Sequence, residues 1–229
     1  MSRPLQAVIF DFDGVIANSE PLHMMAFQQA LQSEGVDLEP GDYYSRYLGY
    51  DDKGVFEAVS RDRARQWSPA HVATLVERKG EHMQAMLLSG AVLFPGASHF
   101  IREVAAEVPI AIASGAQRHE IVEIIEAAGL DDLFSAIVAS GDTPESKPSP
   151  APYRLAFERL CAAAGKSLDP KRTVAIEDSR WGLESAGGAG LRLVGVTTSY
   201  PAHELAGAEL IADGLNQLTL AALDRLCAH

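Results

Sequence analysis

Asp11 and Asp13, one residue apart and followed by Gly14, are the pair in this sequence whose type and spacing are best suited to chemistry. Four apolar residues, Ala7 to Phe10, precede them and read as a strand buried on both faces, so the carboxylates fall where that strand should end. Side chains alternate along a strand, which aims Asp11 and Asp13 to one side and Phe10 and Phe12 to the other. Gly14 then permits the close turn or positive φ that a chain leaving a strand beside a ligand needs. A surface Asp-rich turn is the plainer alternative. A calcium loop of the EF-hand kind fits poorly, because Val15 stands where a third oxygen ligand belongs.

Later stretches repeat the pattern of a short apolar run ending in polar residues. Residues 109–113 end at Ser114 and Gly115, and 136–139 end at Ser140, Gly141 and Asp142, with Lys147 and Pro148 close behind. Residues 173–176 end at Glu177, Asp178 and Ser179; 192–196 and 208–211 read as further strands, before a closing helix over Leu215, Leu218 and Leu226. Helical patterns separate the runs, through Phe100 and Val104, through Ile121 and Ile125 to Gly129, from 151 to about 164, and through Leu183 and Ala186. Strands alternating with helices make a mostly parallel α/β sheet, which binds ligands outside the carboxyl ends of its strands. The flagged polar residues then share one rim. Carboxylates gathered there would repel by about 3 kcal/mol per pair at ~5 Å and an effective dielectric near 20. A hard cation resolves that, and an all-oxygen site suits Mg²⁺. For Asp178 and Ser179 the competing reading is a cap on the following helix.

About 95 residues separate Gly14 from Pro109, where a strand-helix-strand crossover needs only a dozen or more. A helical insertion fills the gap. Its first helix starts at Pro21 and carries Leu22, Met24, Phe27 and Leu31 to a stop at Gly35; a second spans 51–60. A third opens at Ser68-Pro69 with Val72, Leu75, Val76, Met83, Met86 and Leu87 on one side, a packing stripe. Between the first two, residues 43–53 hold four tyrosines with Arg46 and Lys53, either a packed surface loop or a substrate-facing lip. The expected domains are therefore a core of 1–16 and 92–229 and an inserted helical domain of 17–91.

The chain has 229 residues, 47% hydrophobic and 22% charged, and a formal net charge of −12. That charge argues against nucleic acid, whose phosphates call for a basic face. No apolar run approaches membrane-spanning length and no charged-then-apolar leader precedes the first strand. Cys161 and Cys227 stand far apart without metal-ligand spacing. These features point to a cytoplasmic protein, a monomer or weak homo-oligomer, with no membrane partner.

Asp11-Phe12-Asp13-Gly14-Val15-Ile16, Ser114-Gly115, Lys147-Pro148 and Glu177-Asp178-Ser179, in that order and with a large helical insertion after the first strand, resemble the haloacid dehalogenase superfamily. The likeness covers essentially the whole chain and falls in the branch of β-phosphoglucomutase-like and phosphoglycolate-phosphatase-like proteins. It implies a Rossmann-like doubly wound core with an α-helical cap domain. It further implies Asp11 as nucleophile and Asp13 as the acid and base, protonated when substrate arrives. Mg²⁺ would be held by the Asp11 carboxylate, the Asp13 carbonyl and Asp178, with Glu177 in support. Ser114 and Gly115 would cradle the phosphoryl oxygens and Lys147 would offset their charge.

By the same resemblance, dehalogenases lack an acid at the position of Asp13, so phosphoryl transfer is expected. In the mutase pattern a Lys before the cap glycine and an Arg three residues after it hold a second phosphate. Around Gly49 those positions are Leu48 and Asp52, leaving Arg46 or Lys53 to serve from shifted positions. Ser19 matches a hinge hydroxyl and His23 a cap-side histidine; with Arg46, Tyr47 and Lys53 they are the expected specificity residues. The expected function is a Mg²⁺-dependent phosphatase of a small phosphorylated metabolite, a sugar phosphate or phosphorylated organic acid, acting through an aspartyl-phosphate. An intramolecular phosphomutase is the nearest rival, and a non-catalytic phosphometabolite-binding protein the next.

Overall fold

The computed structural model describes residues 3–48, 50–87 and 92–228. The chain separates into two compact units, Met1–Asn18 with Val92–His229, and Ser19–Ala91. Gly49, taken above as the cap glycine, and residues 88–91, ahead of the expected second boundary, lie outside the described residues.

Among the described residues of the first unit, six strands pair in parallel: β1 (Ala7–Phe10), β2 (Ile110–Ala113), β3 (Phe134–Val138), β4 (Thr173–Glu177), β5 (Arg192–Val196) and β6 (Leu210–Ala212). Helices α1 (Glu20–Gln32), α2 (Pro40–Asp42), α3 (Asp52–Asp62) and α4 (Pro69–Leu87) belong to the second unit. Helices α5 (Ala97–Ala105), α6 (Arg118–Ala127), α7 (Ala151–Ala164), α8 (Arg180–Gly188) and α9 (Leu220–Leu226) belong to the first.

The strand order β3-β2-β1-β4-β5-β6 is that of a Rossmann-like doubly wound sheet, as expected. The winding reverses between β1 and β4, and ligands of such sheets bind where it does. Both strands are buried along their whole length because both faces of the sheet are covered. Ala7 and Ile9 share a cluster with Tyr153, Ala156 and Leu160 of α7. Phe10, pointing the other way, meets Phe100 of α5 edge-on at 6.4 Å.

The β1 ladder runs one residue past the strand, the Asp11 N–H donating to the Ile176 carbonyl at 2.9 Å. The chain then folds back on Phe12, whose carbonyl accepts from Ile16 at 2.8 Å and Ala17 at 3.0 Å. Ala17 bridges Asp13 and Leu93, and the Asn18 N–H donates to Val92. Residues 17 and 18 are thus tied to the first unit, two residues past the boundary drawn from sequence. The closing helix is also shorter than its leucine pattern. A 3₁₀ turn holds Leu215, and Thr219, in extended conformation, accepts from the Ala222 N–H to cap α9.

In the second unit α1, α3 and α4 enclose a core that includes Phe27, Leu31, Tyr43, Tyr47, Phe56 and Leu75. Residues Tyr43–Tyr47 form a π-helix in which Tyr43 and Tyr47 are buried and Tyr44 is exposed. The stripe of α4 buries Val72, Leu75, Met83 and Leu87, and among them Lys79, 2% exposed.

Candidate active site

The strands on either side of the reversal each deliver carboxylates. Asp11 follows β1; Glu177 ends β4 and Asp178 follows it, and all three are buried. One oxygen from each lies within 4.8 Å of the others. Lys147, from the loop before α7, donates to Asp11 Oδ1 and to Glu177 Oε1, each at 2.6 Å. At 4.8 Å and an effective dielectric near 20, each carboxylate pair repels by about 3 kcal/mol. One ammonium among three acids leaves the cluster short of positive charge. The cluster offers buried carboxylate oxygens and no sulfur or imidazole, a donor set that fits a hard divalent cation.

Glu177 is the most constrained of the three. Its Oε1 also accepts from the Tyr153 hydroxyl at 2.8 Å, and its Oε2 from the Ser179 hydroxyl at 3.1 Å and the Asp178 N–H at 3.2 Å. The Lys147 ammonium lies 5.1 Å from the Tyr153 ring centroid. Ser179, at the N-cap of α8, accepts from the Gly182 N–H at 3.1 Å, so the serine is the cap and Asp178 stays with the acids. A Cβ at Gly182 would stand 1.8–2.0 Å from the Glu177 carboxylate atoms. Gly182→Ala should therefore push Glu177 off its partners and cost about 3 kcal/mol or more in urea unfolding; a midpoint equal to that of the parent chain would contradict this packing.

Beside the acids, Ser114, Gly115, Ser140, Thr143, Ser146 and Lys147 line a cavity of about 80 Å³. The Ser114 N–H continues the β2–β3 ladder to the Val138 carbonyl, which fixes this turn at the end of β2. Its hydroxyl accepts from the Ala116 N–H at 3.0 Å. A small cavity edged by hydroxyls, backbone amides and an ammonium can hold an oxyanion.

Burial, with Glu177 adding to it, holds the Asp11 carboxyl well above its ordinary value, and Lys147 only partly opposes the rise. Burial works against the Lys147 ammonium, yet Asp11 and Glu177 together raise it above the usual lysine range. Burial pushes the Asp178 carboxyl up to about 6; the Ser199 hydroxyl bond opposes the rise and the Glu177 charge adds to it. A folded value above the unfolded one, near 4, stabilises the fold fully below ~4, and that stabilisation is lost as pH rises toward 6. In chelator, Asp178→Asn should therefore gain stability relative to the parent chain between about pH 4 and pH 6, and no more above it; a flat difference in urea midpoints would contradict the assignment.

Two other acids flagged in the sequence are not among the three clustered carboxylates. Asp13 is exposed and contributes no carboxylate to the buried triad, because β1 ends at Phe10 and the alternation that would align it with Asp11 ends there too. Asp142, grouped from sequence with the rim acids, instead binds Arg118 at 2.6 Å and Arg159 at 3.0 Å. Burial pulls the other way, but those arginines and the Ala139 N–H hold its carboxyl below the usual range.

In the second unit Ser19 is buried at the start of α1, and the His23 Nδ1 lies 2.8 Å from the Lys79 ammonium, which also binds Asp52 at 2.9 Å. Arg46 donates to Asp62 at 2.7 Å and the Tyr47 hydroxyl donates to the same carboxylate at 2.9 Å, so both hold the π-helix to the end of α3. Lys53 is exposed and pairs with Glu57 at 3.6 Å, one turn along the same helix. Tyr153, Ser199 and Lys79 were not singled out from sequence. Lys79 alone carries a signal there, as a polar residue four positions from both Leu75 and Met83 on an apolar stripe.

Buried carboxylates and a lysine at the reversal of a doubly wound sheet, beside a small polar cavity at the ends of β2 and β3, are suited to phosphoryl-transfer chemistry. Residues 8–196 match the family described as haloacid dehalogenase-like hydrolase, and the chain belongs to that family. Protein CbbY of Cereibacter sphaeroides is 31% identical over 96% of this chain and 97% of its own. A phosphoglycolate phosphatase of Pectobacterium atrosepticum is 26% identical over 91% of this chain and 88% of its own. The crystal structure of CbbY from Rhodobacter sphaeroides with phosphate has a TM-score of 0.76 at 32% identity, covering 96% of this chain and 99% of that one. A variant of the same protein, solved with xylulose-(1,5)bisphosphate, has a TM-score of 0.75 at 31% identity over the same shares. The chain is an enzyme of the phosphatase kind within this family. Among the described residues no helix is long and apolar enough to cross a membrane.

Proposed function

We propose that this enzyme hydrolyses a small phosphate monoester, a sugar phosphate or phosphorylated organic acid, with Mg²⁺ and through an aspartyl-phosphate on Asp11. The observation that carries the reading is the Lys147 ammonium shared by Asp11 and Glu177, with Asp178 completing a buried triad of acids. Asp11, Asp178 and Glu177, with the Asp13 carbonyl, would hold the cation, which supplies positive charge to the carboxylates and the phosphoryl oxygens. An Asp11 oxygen forms the bond to phosphorus as the ester P–O bond breaks, and Asp13 gives its proton to the leaving oxygen. Asp13 then takes a proton from the attacking water, whose oxygen bonds to phosphorus as the P–O bond to Asp11 breaks, yielding inorganic phosphate. Ser114, the Gly115 N–H and Lys147 hold the phosphoryl oxygens throughout. The Ser19–Ala91 unit serves as the cap domain that selects the substrate.

The rival mutase reading needs cations around Gly49 for a second phosphate. Leu48 and Asp52 occupy those positions, and Asp52 is engaged by Lys79. Phosphate release assayed across phosphorylated metabolites, including β-glucose 1-phosphate with and without its bisphosphate, separates the two. Mg²⁺-dependent release of inorganic phosphate supports hydrolysis; isomerisation without release would replace this reading by the mutase.

A further inference from the structure

The turn after β5 reaches the acid cluster from two strands away. In the sheet β4 lies between β1 and β5, so residues 197–200 must pass over the end of β4 to touch the loop after β1. They do so with two hydroxyls. Thr198 donates to the Gly14 carbonyl, and Ser199 brings its hydroxyl beside the Asp178 carboxylate at Gly14. A Cβ placed on Gly14, whose φ is +79°, would stand 1.9 Å from Asp178 Oδ2 and 2.7 Å from Ser199 Oγ, so the three groups converge on one point that only glycine leaves open. The turn itself is anchored on both sides. The Thr197 N–H donates to the Ala212 carbonyl at 3.0 Å, and Tyr200 meets Trp181 of α8 edge-on at 5.9 Å.

We propose that Thr198 and Ser199 are positioning residues of the divalent-cation site, an inference that rests on the cation reading given above. Ser199 fixes the orientation of the Asp178 carboxylate, so that it faces Asp11 and Glu177 before a cation arrives. Thr198 fixes the backbone of the Asp13–Gly14 turn against the same clamp. Carboxylates that bind a metal bind it best when hydrogen bonds from outside hold them in place, and loss of one such bond typically weakens binding 10–100-fold. Neither hydroxyl touches the oxyanion cavity, so substrate binding at saturating cation should not depend on them.

The test is calorimetric titration of Mg²⁺ into the intact chain and into Ser199→Ala, Ser199→Thr and Thr198→Val, with unfolding midpoints taken in chelator. The expected result is about tenfold weaker Mg²⁺ binding for Ser199→Ala and Thr198→Val with only a small fall in unfolding midpoint, and recovery of both in Ser199→Thr. In steady state the requirement for Mg²⁺ should rise while substrate KM at saturating Mg²⁺ is unchanged. Parent and Ser199→Ala chains that bind Mg²⁺ equally would overturn the positioning role alone; a parent chain that binds no Mg²⁺ would overturn the cation reading with it. A fall in unfolding midpoint without a change in Mg²⁺ affinity would show a structural role and also overturn the inference.

Discussion

Asp11→Asn is expected to lose turnover by a factor on the order of 10⁴ or more while folding as the parent chain does. The amide is a poor nucleophile, so the step that forms the phosphoenzyme is removed rather than slowed. The fold should persist because the substitution removes one of three mutually repelling buried carboxylates, one whose charged form burial disfavours. The neutral amide still presents an oxygen to Lys147, whose second carboxylate partner, Glu177, remains at 2.6 Å. Circular dichroism and a urea midpoint near that of the parent chain, with phosphate release at background, is the expected pair of results. Substantial residual release would mean that another group attacks phosphorus.

Lys147→Met should damage both stability and rate, and the two losses should respond differently to conditions. The ammonium is the cation shared by Asp11 and Glu177, and removing one partner from a buried ionic cluster typically costs 3–5 kcal/mol. Without it, Asp11 loses the influence that opposed burial, and its folded value rises further above the unfolded one. Stability tied to a raised carboxyl value is present at low pH and lost as pH rises. The deficit of the variant should therefore be smallest near pH 4 and grow toward neutrality, as read from urea midpoints across that range. Mg²⁺ should restore part of it, since a cation bound only by the folded chain stabilises it by mass action. The rate should fall about 10²–10³-fold at saturating Mg²⁺, the scale of one lost oxyanion contact.

Much of this site can be read in the sequence because the sheet does the assembling. Four apolar residues before Asp11 and the run Val174-Ala175-Ile176 before Glu177 and Asp178 mark central parallel strands, and their carboxyl ends meet where the winding reverses. The convergence of Asp11, Lys147, Glu177 and Asp178 follows from that rule and from the side on which each strand ends. Asp13 shows the limit of the same logic. Alternation holds only while the strand does, and the chain bends after Phe12, whose carbonyl accepts from Ile16 and Ala17, so alternation does not decide where Asp13 points.

The remaining features depend on contacts between distant segments that no local pattern marks. Asp142 looks like a rim acid until Arg118 and Arg159 are seen on either side of it. Tyr153 reads as an ordinary apolar position of α7; only the fold shows its hydroxyl ending on Glu177. Tyr43 and Tyr47 read equally as a lip or as packing, and burial in the second unit decides for packing. Their hydroxyls donate to Glu20 and Asp62, and burial with those acids raises both phenols above their ordinary value.

The most direct test of the central claim is to look for the phosphoryl group on Asp11 itself. The enzyme is mixed with a substrate found by phosphate release, quenched in acid within a turnover and digested, and the peptides are analysed by mass spectrometry. One added phosphoryl group is expected on the peptide that contains Asp11, dependent on Mg²⁺ and absent from Asp11→Asn. Turnover with no phosphorylated peptide at any time, or with the label on another residue, would contradict an aspartyl-phosphate on Asp11.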